Sequence, residues 1–173
     1  MVLPIKIIGE PILKTPCEKV EDVDGKVVKF AGDLVETMYA HKGIGLAAPQ
    51  VGKKLQIISV DTVYLELGSK PQVLINPQVV YAEGEVTMEE GCLSIPGLYW
   101  DVVRPEKIVV KALELLPNGK LREVEIEADG LYARVLLHEI DHLHGVLFVD
   151  RLPAREKTIA LAKWRRMRRA SAS

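Results

Sequence analysis

The sequence predicts an α+β fold in which antiparallel sheets pack around one central buried helix carrying a His-x-x-x-His pair, with an N-terminal and a C-terminal helix besides. Three observations predict it. Helical periodicity is confined to three stretches, 25–41, 130–144 and a segment beginning near Pro153. Between the first two lie six short strand-like runs with no helical pattern among them. Strands that follow one another without crossover helices pair antiparallel, which separates this pattern from a βαβ architecture.

The elements follow in order. Residues 25–41 set Val27, Ala31, Leu34, Val35 and Met38 on one helical face. Gly43-Ile44-Gly45 is expected to end that helix, because glycine adopts the left-handed C-cap conformation without steric cost. Strands are expected at 55–60, 73–75, 85–88, 100–103, 108–113 and 122–128. The last alternates Val124, Ile126 and Ala128 with Glu123, Glu125 and Glu127, the period-two pattern of a half-buried strand. Pro117-Asn118-Gly119 before it is a hairpin turn, since Asn and Gly tolerate positive φ. The helix at 130–144 is apolar almost all round, with Leu131, Ala133, Val135, Leu136, Leu137, Ile140 and Leu143, and so belongs in the core. Pro153 suits the first turn of the third helix, which continues through Ile159, Leu161 and Trp164.

At 173 residues the chain is expected to form a single domain, 1–173, in which 151–173 is a basic helical tail. Hydrophobic residues at 48% and charged residues at 27% set it apart from disordered chains. No apolar run is long enough to cross a bilayer and no signal-peptide pattern opens the chain, so no membrane association is expected. Two cysteines, Cys17 and Cys92, make neither a disulfide framework nor a four-cysteine zinc site. A reducing cytoplasm is the natural setting, of bacterial type, and a mature organellar form would read the same way. The net charge of −1 is unevenly spread. From Arg151 onward eight Lys or Arg face one acid, Glu156, which leaves −8 on residues 1–150. The tail reads as a solvated helix whose cations complement the helix dipole and could also meet phosphates. The acidic body is unsuited to nucleic acid, and no sequence-specific nucleic-acid partner is expected.

Chemistry concentrates in His138-Glu139-Ile140-Asp141-His142. Four residues apart on a helix, the two histidines can offer nitrogens to one metal ion, with Glu139 beside it as a proton acceptor. A buried helix tolerates such a polar cluster only if its members are paired or ligated. The third ligand decides the reaction class. Phe148 stands where a HExxHxxGxxH protease has its third histidine, which removes that completion. A thermolysin-like completion needs a glutamate on a later helix, and the only glutamate after His142 is Glu156, a poor candidate in the basic tail. Cys92, in Glu90-Gly91-Cys92-Leu93-Ser94 and flanked by a glycine that permits close approach, is the better candidate. Cys17, His41 and His144 have no such company and read as structural or surface residues. Two histidines and a thiolate leave a tetrahedral ion one open position, the form of a catalytic site. Gly43-Ile44-Gly45-Leu46-Ala47-Ala48-Pro49-Gln50 offers small residues and an amide donor for an oxyanion. Without a metal site the same stretch reads as a helix C-cap and a tight apolar loop.

Together, Gly43 to Gln50, Glu90 to Ser94, and His138 to His142 followed by Leu143 and Gly145 resemble the three signature motifs of the peptide deformylases, in the same order and spacing. The resemblance covers nearly the whole chain, from Ile5 to about Leu152. It implies an α+β domain built around the motif-bearing helix, and a metal-dependent hydrolase that removes the N-formyl group from the formyl-methionine of nascent polypeptides as formate. Position by position, it implies Cys92, His138 and His142 as ligands of one ion, usually Fe2+, with Zn2+, Ni2+ or Co2+ able to substitute. It implies Glu139 as general base and acid, and the Gln50 amide and Leu93 backbone N–H as stabilisers of the tetrahedral intermediate. Ile44, Leu131, Val135 and the stem of Arg134 would line the methionine pocket, and the backbone of Gly45 and Gly91 would pair with the extended peptide. Two positions depart from the family pattern: Leu137 replaces a common Gln before the first histidine, and Tyr99 stands where some members have Arg. In some members a C-terminal helix docks on the ribosome, a partner that Lys163 to Arg169 would suit.

Overall fold

The polypeptide forms two antiparallel sheets, one of five strands and one of two, separated by a helix that both of them bury. The computed structural model describes residues 1–63 and 70–172, so Ser173, the last residue of the basic tail, lies outside it. Helix α1 spans Gly25–Ala40, α2 Gly130–Leu143 and α3 Ala154–Ala172. The strands are β1 Gly45–Ala47, β2 Ile57–Val60, β3 Gln72–Glu83, β4 Val86–Cys92, β5 Ile95–Arg104, β6 Lys107–Leu115 and β7 Leu121–Asp129. The larger sheet has the order β1-β2-β3-β6-β7 and the smaller is the β4–β5 hairpin. This is the α+β arrangement the pattern of runs predicts, with the His-x-x-x-His pair on α2.

The period-two alternation of the strands sends side chains to opposite faces, and each face finds its own helix. Ile58, Leu74 and Val110 pack with Ala133, Leu136 and Ile140 of α2. Leu46, Ile57 and Ile75 face the other way, onto Leu34 and Met38 of α1. Ile95, Leu98 and Val102 of β5 meet Phe148, Val149, Leu152 and Ala160, which seats the hairpin on the 148–151 turn and α3. Each Val, Leu, Ile, Met or Phe among them contributes about 1.5–3 kcal/mol on removal from water, the force that closes these layers. Helix α1 is opened by Asp24, whose side chain accepts from Val27 N at 3.0 Å.

Several boundaries differ from the expected ones. Helix α1 does end in a Schellman motif, with Lys42 N donating to Tyr39 O and Gly43 N to Met38 O. The left-handed residue is Lys42 (φ 56), however, and not a glycine. Gly43 meets a different constraint: a Cβ there would sit 3.2 Å from Leu93 Cδ1, a tight contact. The short run at 73–75 becomes a twelve-residue strand, because a bulge between Ile75 and Gln78 absorbs Pro77, which has no N–H to give the ladder. Asn76 in that bulge (φ 52) bonds both the N–H and the carbonyl of Val20, at 2.8 Å each. Residues 45–47, expected as loop, form edge strand β1 paired with Ile58, Ser59 and Val60. The Pro117-Asn118-Gly119 turn joins β6 and β7 in register from Leu115↔Leu121 to Lys107↔Asp129, with Gly119 at φ 83.

Candidate metal centre

Helix α2 is held in the core by its leucines and isoleucine, and the four-residue spacing puts His138 and His142 on one face with ring centroids 5.0 Å apart. The β4–β5 hairpin turns at Leu93-Ser94 and thereby brings Cys92, the last residue of β4, against them. One donor atom each from Cys92, His138 and His142 lies within 4.8 Å of the others, with Cys92 Sγ 3.4 Å from His142 Nε2. This is the only such cluster of three or more potential ligands among the described residues. Glu156 is elsewhere: it is exposed on α3 and accepts a bond from Trp100 Nε1 at 3.4 Å, which removes the thermolysin-like completion. Phe148, at the position of the third histidine in a HExxHxxGxxH site, stacks on the His138 ring at 6.1 Å.

Glu90 fixes which nitrogen His138 presents. Burial alone would raise the Glu90 carboxyl, but bonds from His138 and Arg104 outweigh it and hold the group down at about 2. An ionised carboxylate only accepts, so the His138 Nδ1 that lies 2.9 Å from Glu90 Oε1 carries a proton, and Nε2 is the nitrogen left to face an ion. Burial disfavours the His138 cation, yet Glu139, Cys92 and Glu90 around it raise its pKa well above the ordinary value. His142, buried beside that ring, is pushed well below. Burial drives the Glu139 carboxyl up to about 7. Glu139 Oε1 and His142 Nδ1 are buried without a hydrogen-bond partner. A thiolate, two imidazoles and an unpaired carboxylate at one point suit a borderline divalent ion such as Zn2+ or Fe2+, so the residues present fit the implied metal.

Gln50 is 2% exposed in the turn after β1. Its Oε1 accepts from Ala47 N at 3.0 Å, which aims Nε2 at Ser94 Oγ (3.2 Å) and Cys92 Sγ (3.5 Å). A cleft of about 490 Å³ opens in front of these groups. Of the residues expected at the site, Ile44, Gly45, Gln50, Gly91, Cys92, Leu93, Leu131, Arg134, Val135, His138 and Glu139 all line it. His142 does not, being 1% exposed behind the others. Gly45 is dictated by contact: a Cβ there would lie 2.7 Å from Glu139 Oε2 and 2.8 Å from Val135 Cγ1. Gly91 passes under the Tyr99 ring, 2.5 Å from where its Cβ would be. The Arg134 stem faces the cleft, while its guanidinium is turned away to Glu90 Oε2 and to the carbonyls of Val102 and Val86. Leu137 is half-buried against the core and does not line the cleft. His41 and His144 are exposed and Cys17 is buried, as their sequence context suggests.

Three residues around the site had no role in the sequence reading. Glu90 orients His138, Arg104 forks onto Glu90, and Asp141 holds Arg104. Their signal is present in the sequence as a physical demand: charged residues on an apolar helix need buried partners. Which partners serve is a matter of tertiary geometry.

An HExxH helix with a cysteine brought against its histidines by a β-hairpin, within an α+β frame, points to the class of the HExxH metallohydrolases. Comparison with known proteins then narrows it. The sequence profile of the family described as polypeptide deformylase matches residues 2–158. The peptide deformylase of Thermodesulfovibrio yellowstonii is 43% identical over 95% of this chain and 97% of its own length. That of Dictyoglomus thermophilum is 48% identical over 87% and 93%. Among solved structures, a peptide deformylase from Legionella pneumophila superposes with a TM-score of 0.88 at 39% identity, covering 99% of this chain and 98% of that one. The chain belongs to the peptide deformylase family. Its activity is the metal-dependent hydrolysis that removes the N-formyl group from formylated nascent polypeptides and releases formate. No helix among the described residues is long and apolar enough to cross a membrane.

Proposed function

We propose that Cys92, His138 and His142 hold a single divalent ion, Fe2+ in the cell with Zn2+, Ni2+ or Co2+ able to replace it, and that Glu139 moves the protons of deformylation. The observation that carries this reading is the convergence of three donor atoms within 4.8 Å beside a buried, unpartnered carboxylate oxygen at the floor of the cleft. When bound, the ion supplies Lewis acidity that makes water a nucleophile near neutral pH and polarises the formyl oxygen. Glu139 takes a proton from the attacking water. As the C–N bond breaks, it hands that proton to the leaving nitrogen of the methionine, which departs as a free amine while formate remains. The oxyanion that forms between these steps is met by Gln50 Nε2 and the Leu93 N–H. Gln50 is suited to this because its oxygen is committed to Ala47 N, so the amide cannot turn its acceptor end into the site. Ile44, Leu131, Val135 and the stem of Arg134 enclose the methionine side chain, and the backbone at Gly45 and Gly91 pairs with the peptide as an added strand.

The whole of 1–173 is one catalytic domain by this reading, working in the cytoplasm, and its basic tail approaches the ribosome. Arg165, Arg166 and Arg169 are exposed on α3, whereas Lys163 and Arg168 lie over the rings of Trp100 and Trp164. Iron-loaded protein incubated anaerobically with formyl-Met-Ala-Ser should release formate and leave the Met-Ala-Ser backbone whole. Cys92→Ala should lose its equivalent of metal and Cys17→Ala should keep it; one equivalent retained in both rejects the ligand set. Charge reversal at Arg165, Arg166 and Arg169 should abolish low-salt cosedimentation with ribosomes, and unchanged pelleting rejects the ribosomal partner.

A further inference from the structure

Four ion pairs run from a guanidinium at the protein surface to the ring of His138, and the steps of deformylation use none of them. Asp141 lies beside His142 on α2 and is buried, yet it binds two arginines. Arg104 Nη1 donates to Oδ2 at 2.9 Å, while Arg151 donates from Nε to Oδ2 at 2.9 Å and from Nη2 to Oδ1 at 2.6 Å. Arg104 in turn grips both oxygens of Glu90, at 2.5 and 3.0 Å. Glu90 Oε1 accepts the hydrogen bond from His138 Nδ1.

A balance of charges gives Arg151 its importance. Arg104 is one cation between two buried carboxylates. Glu90 has a second cation in Arg134, whose Nη1 donates to Oε2 at 2.5 Å. Asp141 has its second in Arg151. Without Arg151, the undercompensated Asp141 would draw Arg104 toward itself and away from the fork that fixes Glu90, because a buried carboxylate deprived of a partner is costly. The acceptor that aligns the His138 ring would loosen with it. Arg104 is 4% exposed and Arg151 49%, so the chain of pairs begins in solvent and ends at the metal centre. Arg151 also closes the 148–151 turn between α2 and α3, and its neighbour Asp150 is tied to Lys157 of α3 at 2.7 Å.

We infer that Arg151 is a positioning residue for the metal centre: it holds Asp141 so that Arg104 and Glu90 keep His138 aligned as a ligand, and so couples the seating of α3 to retention of the ion. This rests on Cys92, His138 and His142 being the ligands. The test uses full-length protein loaded with Co2+, reading its visible bands and the rate at which a chelator strips the ion. Arg151→Ala should release Co2+ at least ~10-fold faster and shift the bands, as loss of a partner behind a metal-bound histidine does. Arg151→Lys, keeping the charge but not the fork, should fall between. Combined with Asp141→Asn, Arg151→Ala should add nothing further. Lys14→Ala, which breaks a neighbouring pair with Asp150, should leave release unchanged. A purely structural role would lower the melting temperature of metal-free Arg151→Ala and leave bands and release rate alone, and that result overturns the inference. Full additivity with Asp141→Asn overturns it as well. Cys92→Ala that still binds one equivalent would overturn the ligand set and this inference with it.

Discussion

The two sides of α2 treat buried polar groups in opposite ways. Toward the β4–β5 hairpin, Arg134, His138 Nδ1 and Asp141 meet Glu90, Arg104, Arg151 and two backbone carbonyls, and in that set only Arg134 Nε lacks a partner. Toward β1 and the cleft, Glu139 Oε1 has none. Removing one partner from ion pairs of this kind strands a buried charge and destabilises the fold. A buried carboxylate left without a partner costs stability, and it persists where the group has another use. The side where charge meets charge and the side where it does not should therefore fail differently when they are changed.

The largest effect is expected on the unpaired side. Glu139→Gln removes the proton carrier and keeps the shape, so formate release should fall by roughly 10²–10⁴-fold. Metal content should stay at one equivalent, and the melting temperature should not drop, because a neutral amide is easier to bury than a carboxylate. Turnover close to the parent would refute the division at its root. Glu90→Ala should show the converse. It strands Arg104 and Arg134 in the interior, and urea denaturation should report a loss of about 3–5 kcal/mol. A denaturation midpoint equal to the parent's would mean that the paired side is not what holds the hairpin to α2.

Gln50 lies on the boundary, with its oxygen satisfied and its nitrogen aimed at Cys92 and Ser94. Gln50→Ala should therefore show both failures in reduced form. Turnover should fall about 10²–10³-fold through the lost oxyanion donor, and stability by about 1 kcal/mol through the unpaired Ala47 N–H. A change in KM alone, with kcat intact, would place Gln50 among the residues that bind and not among those that meet the oxyanion.

The difference between the two sides also marks how far the sequence could be read. Period-two runs and three helical stretches carry the α+β class, since both depend only on local spacing. Strand lengths were underread where a bulge rescued a proline, as at Asn76-Pro77, because bulges are settled by the partner strand. Edge strand β1 was missed because Gly45, Leu46 and Ala47 have little strand preference and pair only through burial against β2. The residues that gather at the site were legible, Cys92 and the two histidines through ligand chemistry and the cleft-lining residues through the resemblance. Glu90, Arg104, Asp141 and Arg151 were not. A buried ion pair needs only opposite charges that meet in space, and no spacing along the chain announces which ones will.

The smallest effect belongs at the outer end of the paired side. Asp150 accepts from Leu147 N at 2.8 Å and pairs with Lys157 at 2.7 Å and with Lys14. Burial would raise its carboxyl, but those donors outweigh burial and hold it below the usual range. A carboxyl whose folded pKa is lowered stabilises the fold fully above its unfolded value, near ~3.9, and loses that contribution as the pH falls through the folded value. Asp150→Asn should accordingly cost up to about 1 kcal/mol at pH 7, with the gap to the parent closing as the pH drops below about 4. Urea titrations across that range would measure it. A gap that stays constant with pH would trace the effect to the lost bond from Leu147 N and not to charge. A gap as large as the one for Glu90→Ala would mean that exposure has no bearing on these pairs, and the contrast between buried centre and wet periphery would be lost.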